Sequence, residues 1–169
     1  MLNSVKIFIC LIYIVLSCNI VLAEPSTVFS AGISLNEQVP VDLMGTWRVV
    51  SKLSNTDSPA NFKKTGVDLW NLSRTGDVIN LCNPMTGASA SIRVEFVKNN
   101  TVRFTKEGVY DKQKLTDTVE ITLSGDKFVG VNFLSLKTFS VVDNTLVAEK
   151  TATYNLQGDK ISGTSILER

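Results

Sequence analysis

From Leu43 onward the chain alternates apolar and polar side chains in short runs, and this period of two is its strongest constraint. Trp47, Val49, Ser51 and Leu53 alternate with Arg48, Val50 and Lys52. Ile92, Val94 and Phe96 alternate with Arg93, Glu95 and Val97, and Val119, Ile121 and Leu123 with Glu120, Thr122 and Ser124. Successive side chains of a strand point to opposite faces, so each set takes one face, one toward a core and the other toward water. No run after Leu43 keeps apolar residues at i, i+3, i+4 and i+7 over the length of a helix. Residues 54–66, with Ser54, Asn55, Pro59 and Gly66, read as a long loop.

Turn residues punctuate these runs. Thr75-Gly76-Asp77, Lys98-Asn99-Asn100, Ser124-Gly125-Asp126, Asp143-Asn144 and Gln157-Gly158-Asp159 each stand between two candidate strands. Gly and Asn tolerate the positive φ that tight hairpins require, and strands joined so tightly are antiparallel neighbours. The spacing predicts strands over 43–53, 67–74, 77–82, 88–97, 101–107, 115–123, 127–141, 145–156 and 160–167. Leu123 to Gly130 and Leu156 to Gly163 repeat five of eight residues, which reads as two hairpins under one turn constraint. Gly130 and Gly163 then mark a bend or bulge where the sheet curves. An open meander would leave two unpaired edges. Pairing the first strand, near Trp47, with the last, near Ile161 to Leu167, closes the sheet and removes both. The fold expected is all-β: an antiparallel up-and-down meander of about eight or nine strands closed into a barrel.

The first residues carry a different signal. Lys6 precedes an apolar run from Ile7 to Leu16, shorter than the roughly 20 residues that cross a bilayer. Residues 1–23 read as a signal peptide cut after Ala23, which makes the protein secreted or periplasmic. Val15-Leu16-Ser17-Cys18 resembles a lipobox, so the alternative is lipid on Cys18 and a membrane-anchored chain. Removing residues 1–23 takes away Lys6 and no acid, so 17 basic residues fall to 16 against 16 acids. That balance speaks against nucleic-acid binding, and the membrane enters only through the signal or a lipid anchor. Cys10 and Cys18 go with the signal, leaving Cys82 alone and no intrachain disulfide. Residues 24–40, rich in Pro, Ser, Asn and Gly and without either period, read as a flexible N-terminal tether, or else as an arm that closes the domain. Residues 41–169 form the barrel domain.

Leu43-Met44-Gly45-Thr46-Trp47 resembles the Gly-x-Trp opening of the lipocalin and avidin superfamily. The resemblance covers this tripeptide, the strand count and the length. It implies a lipocalin-like barrel in which the Trp plugs one end and the Gly lets the chain approach closely. The chain lacks a lipocalin-type Thr-Asp-Tyr segment and the later tryptophans with which avidins stack biotin. It looks most like small secreted bacterial proteins built on such barrels.

Histidine is absent, which removes the commonest general base and transition-metal ligand. No phosphate loop, metal-ligand cluster or Gly-x-Ser-x-Gly nucleophile motif occurs. The expectation is a non-enzymatic protein with no catalytic residue, no metal and no cofactor. Asp111 and Asp117, around Lys112 and Lys114, read as solvated loop charges, and Cys82 as an inert thiol. Trp47, Trp70, Phe96, Phe104 and Tyr154 fall on predicted inward faces and are the candidate ligand-binding residues, as much as they are core. The function expected is to hold a small apolar ligand inside the barrel. The alternative is a protein-interaction or enzyme-inhibitor module that binds a protein partner through the barrel rim and the N-terminal arm.

Overall fold

A computed structural model describes residues 34–163 and 166–167 of the chain. Its strands are β1 Gly45–Thr56, β2 Thr65–Thr75, β3 Val78–Cys82, β4 Ser89–Lys98 and β5 Thr101–Tyr110. They continue as β6 Gln113–Ser124, β7 Lys127–Phe139, β8 Leu146–Ser162 and β9 Ile166–Leu167. Strands β1 to β8 form an antiparallel up-and-down ring: each pairs with the next, and β1 pairs with both β2 and β8. The short β9 adds parallel to β2 at Arg74 and Thr75. Closure pairs Trp47 with Lys160 and Thr46 with Ser162, so neither end of the meander is left as a bare edge.

Four of the five expected turns fall where the sequence places them. Gly76, Asn99, Gly125 and Asn144 all take positive φ. Odd-numbered strands of the ring run away from one end, here the base, toward the other, the mouth. The β2–β3, β4–β5 and β6–β7 turns sit at the base. Segments 57–64, 83–88, 111–112 and 140–145 connect strands at the mouth.

Four readings are corrected by the coordinates. Gln157-Gly158-Asp159 is not a turn: β8 runs through it unbroken for 17 residues. Gly158 stands in the strand opposite Phe128, whose ring occupies the space a side chain would fill. Gly130 marks no bulge, since the β6–β7 and β7–β8 registers pass through it without a shift. The expected loop before residue 115 is also strand. β5 and β6 extend to a two-residue turn at Asp111-Lys112, with Asp111 at φ 51°.

The fourth concerns the tether. Its first part, 24–33, lies outside the described residues, as do 1–23 with Cys18 and the Ala23 cleavage position. Residues 34–40 belong to the domain. Ser34 caps a helical turn, α1 (Leu35–Gln38), in a reciprocal capping box with Glu37. Asn36 donates to the Asp77 carbonyl, and Arg74 Nη1 donates to the Asn36 carbonyl at 3.2 Å. Val39 is only 2% exposed. A 3-10 turn over Val41–Leu43 follows and sends Leu43 and Met44 into the base of the ring.

The core fills the ring from the base upward. Leu43, Met44, Trp47, Leu72, Ile79, Val102, Phe104, Val119 and Ile121 are fully enclosed. Each such side chain contributes about 1.5–3 kcal/mol by leaving water. Trp47 closes the base: Nε1 donates to the Leu43 carbonyl at 2.8 Å, Phe128 packs at 5.1 Å, and the Lys160 ammonium lies 5.4 Å from the ring centroid. Gly45 stands at φ +121°, and a β-carbon there would come within 2.9 Å of Ser162 and Gly163 backbone atoms. Trp47 thus plugs the base, and Gly45 leaves room for the close approach of the Ser162 and Gly163 backbone.

Candidate functional site

Above Trp70 the ring is not filled. A cavity of about 350 Å³ opens at the mouth, within the size range of small-molecule sites. Trp70 from β2, Leu134 from β7, Tyr154 and Leu156 from β8, and Phe62 from the 57–64 segment supply its apolar lining. Lys106, Asp117 and Asn132 supply a polar wall, and Lys63 and Asp68 stand nearer the opening.

The polar wall follows from register. Phe104 and Val119 face inward and oppose each other across β5 and β6. Two residues toward the mouth, the same face must carry Lys106 and Asp117, which also oppose each other. Lys106 Nζ lies 2.9 Å from Asp117 Oδ2, and the Asn132 amide nitrogen donates to Asp117 Oδ1. The Lys106 ammonium lies 5.6 Å from the Trp70 ring centroid, a cation–π contact. Asp117 is only 8% exposed. It is therefore not the solvated loop charge that the spacing suggests: it is enclosed and partnered by one ammonium and one amide.

The rest of the wall is held by shared hydrogen bonds. Trp70 Nε1 donates to Asp68 Oδ2 at 3.2 Å, while Asp68 Oδ1 accepts from the Leu69 backbone N–H at 2.9 Å and from the Asn83 amide. Tyr154 donates its hydroxyl to the Lys63 carbonyl at 3.0 Å, which ties the 57–64 segment to the barrel wall. Burial pushes the Tyr154 hydroxyl above its ordinary pKa. Lys106 and Asp68 also border a second cavity of about 290 Å³ beside the 83–88 connection.

Of the five residues that the sequence nominates, the structure brings Trp70 and Tyr154 to the cavity. Trp47 is the base plug. Phe104 is enclosed beneath Trp70, ring centroids 6.5 Å apart, and lines nothing. Phe96 faces outward, 40% exposed, beneath the Arg103 guanidinium. Its reversal has a local cause: the β4–β5 register shifts between Val94 and Phe96. A bulge inserts one residue and flips the faces beyond it, so Val97 packs on the core in Phe96's stead. Lys106, Asp117 and Asn132 were missed. Counting two positions on from Phe104 and two back from Val119 would have found the first two.

Among the described residues no three His, Cys, Asp or Glu side chains converge on a metal-sized site. Nor is any helix there long and apolar enough to cross a membrane. Cys82 is a free, half-buried thiol at the end of β3.

Around the mouth, the connections and the strand ends beside them carry exposed apolar side chains: Met85, Val109, Tyr110, Val141, Val142, Leu146 and Val147. The β5–β6 and β7–β8 tips adjoin, since the Phe139 N–H donates to the Lys112 carbonyl at 2.8 Å.

The fold and site together define an eight-stranded closed antiparallel ring, plugged at one end and holding an open, amphipathic cavity at the other. No protein-family model, curated protein or solved structure matches the chain.

Proposed function

We propose that this is an exported, non-enzymatic barrel protein that holds a small, largely apolar ligand in the mouth of the ring. The observation that carries the reading is the unfilled cavity above Trp70, over a base that is fully packed. Apolar cavities bordered by a few fixed polar groups are the usual form of ligand sites. The ligand rests on Trp70 against Tyr154, Phe62 and Leu134, and the Lys106–Asp117–Asn132 wall meets its polar end. Residues 1–23 direct export, with cleavage after Ala23; lipid on Cys18 is the rival processing. Kinship with lipocalin-like barrels belongs to the same proposal and rests on Gly45-Thr46-Trp47 and the strand pattern.

Native mass spectrometry of protein purified from its own source tests the binding reading. A retained mass that is released on denaturation, and is lost in Leu134→Trp, supports it. Protein of bare mass, with a fluorescence that no apolar probe alters, overturns it.

The exposed apolar tips favour a second reading, a protein-interaction module working from the rim. Val142 is 95% exposed and Tyr110 84%. The two readings separate on paired variants: Val142→Asp charges the rim and Leu134→Trp fills the cavity. Loss of small-molecule binding in the second alone supports the cavity. Binding of a protein partner that survives Leu134→Trp and fails in Val142→Asp supports the rim.

A further inference from the structure

We infer that the cavity selects a ligand whose apolar body ends in a neutral amide-type group, a carboxamide, lactam or imide, rather than a carboxylate or a bare hydrocarbon. The inference rests on the ligand-binding reading and adds the chemistry of the polar wall.

Asp117 organises that wall. One of its oxygens is taken by Lys106 Nζ at 2.9 Å, the other by Asn132 Nδ2. An ionised carboxylate only accepts hydrogen bonds, so Asn132 must turn its nitrogen to Asp117 and its oxygen away. That oxygen accepts nothing from the described residues, whose buried side-chain nitrogens and oxygens all have partners. It is therefore open to the cavity that Asn132 borders. Lys106 has three N–H groups, spends one on Asp117, and borders the same cavity. A donor and an acceptor thus stand side by side, fixed by one shared carboxylate.

The edge of an amide is their complement: its carbonyl accepts from Lys106 and its N–H donates to Asn132. A carboxylate finds Lys106 already neutralised by Asp117 and meets the Asn132 oxygen as a like partial charge. A hydrocarbon strips water from both groups and pairs neither, which sites of this kind reject strongly.

Naphthamide, naphthoate and methylnaphthalene share a ring system and differ only in the polar group, so they test the wall alone. Each is titrated into the purified protein and followed by tryptophan fluorescence, with backbone amide shifts locating the site. Naphthamide is expected to bind roughly tenfold or more tightly than either other probe. In Asn132→Leu that preference should shrink to within about threefold, and the ranking in the parent protein decides the matter even if the variant fails to fold. Naphthoate binding tightest, or three equal affinities, overturns the inference and leaves the cavity reading standing. Shifts confined to residues outside the cavity, or none with any probe, overturn both.

Discussion

Replacing Gly158 by alanine probes how tightly the barrel interior is built. Gly158 sits mid-strand in β8 opposite Phe128, and it is not among the positive-φ glycines, so alanine meets no backbone obstacle. The obstacle is the ring. A β-carbon at Gly158 would lie within 2.6 Å of three atoms of Phe128, where carbon atoms rest at about 3.5–4.0 Å. Phe128 cannot step aside by the missing ångström, because Trp47 packs at 5.1 Å and Trp70 stacks at 6.0 Å on it. Overpacking of this kind costs about 1–3 kcal/mol, and a side chain hemmed by two indoles places Gly158→Ala at the upper end, about 3 kcal/mol. Phe128→Ala alone should cost about 3–5 kcal/mol by opening a cavity. In that background the added methyl enters vacant space, and Gly158→Ala should cost less than about 0.5 kcal/mol. Urea unfolding of the parent, both single variants and the double variant gives the coupling directly. A penalty equal in both backgrounds would refute the packing argument and return Gly158 to a role in chain direction.

Phe96→Ser, on the outer face, should cost under about 1 kcal/mol, against about 3–5 kcal/mol for Phe104→Ala, both read from urea midpoints. The Glu95 carboxyl is held below its ordinary pKa first by the Thr105 hydroxyl, 2.8 Å away, and then by Arg93. A depressed folded-state value stabilises above the unfolded value and is lost as pH falls through the folded one. Thr105→Val should therefore weaken the protein at neutral pH and match the parent at the acid end of a pH series of unfolding curves. Tyr154 is the opposite case: burial raises it, so the folded state favours the neutral phenol. Its contribution is intact below the unfolded value near pH 10 and fades as pH climbs toward the folded one. Tyr154→Phe should accordingly show a shallower alkaline loss of stability than the parent.

Most of the fold was legible in the sequence because alternation and turn chemistry agree with each other. Gly76, Asn99, Gly125 and Asn144 ended strands where positive φ was needed, and the run from Trp47 to Leu53 and that from Val119 to Leu123 kept their faces. Gly158 failed as a marker because glycine serves two needs, left-handed backbone and absence of a side chain, and only the partner strand reveals which one applies. Phe96 failed because a bulge is a property of two paired strands, invisible in either alone. The site was less legible than the fold. Lys106 and Asp117 look like ordinary surface charges until the register sets them opposite each other on the inner face, and Asn132 gains meaning only beside both.

Ring closure bears on the order of events during manufacture of the molecule. Lys160 reaches back to the Asp42 carbonyl across 118 positions of chain, and β1 gains its second neighbour only when residues 146–162 arrive. Contacts so distant in sequence are slow to form. The ring therefore stays unlatched until nearly the whole chain is present, and its seam is the last part to close.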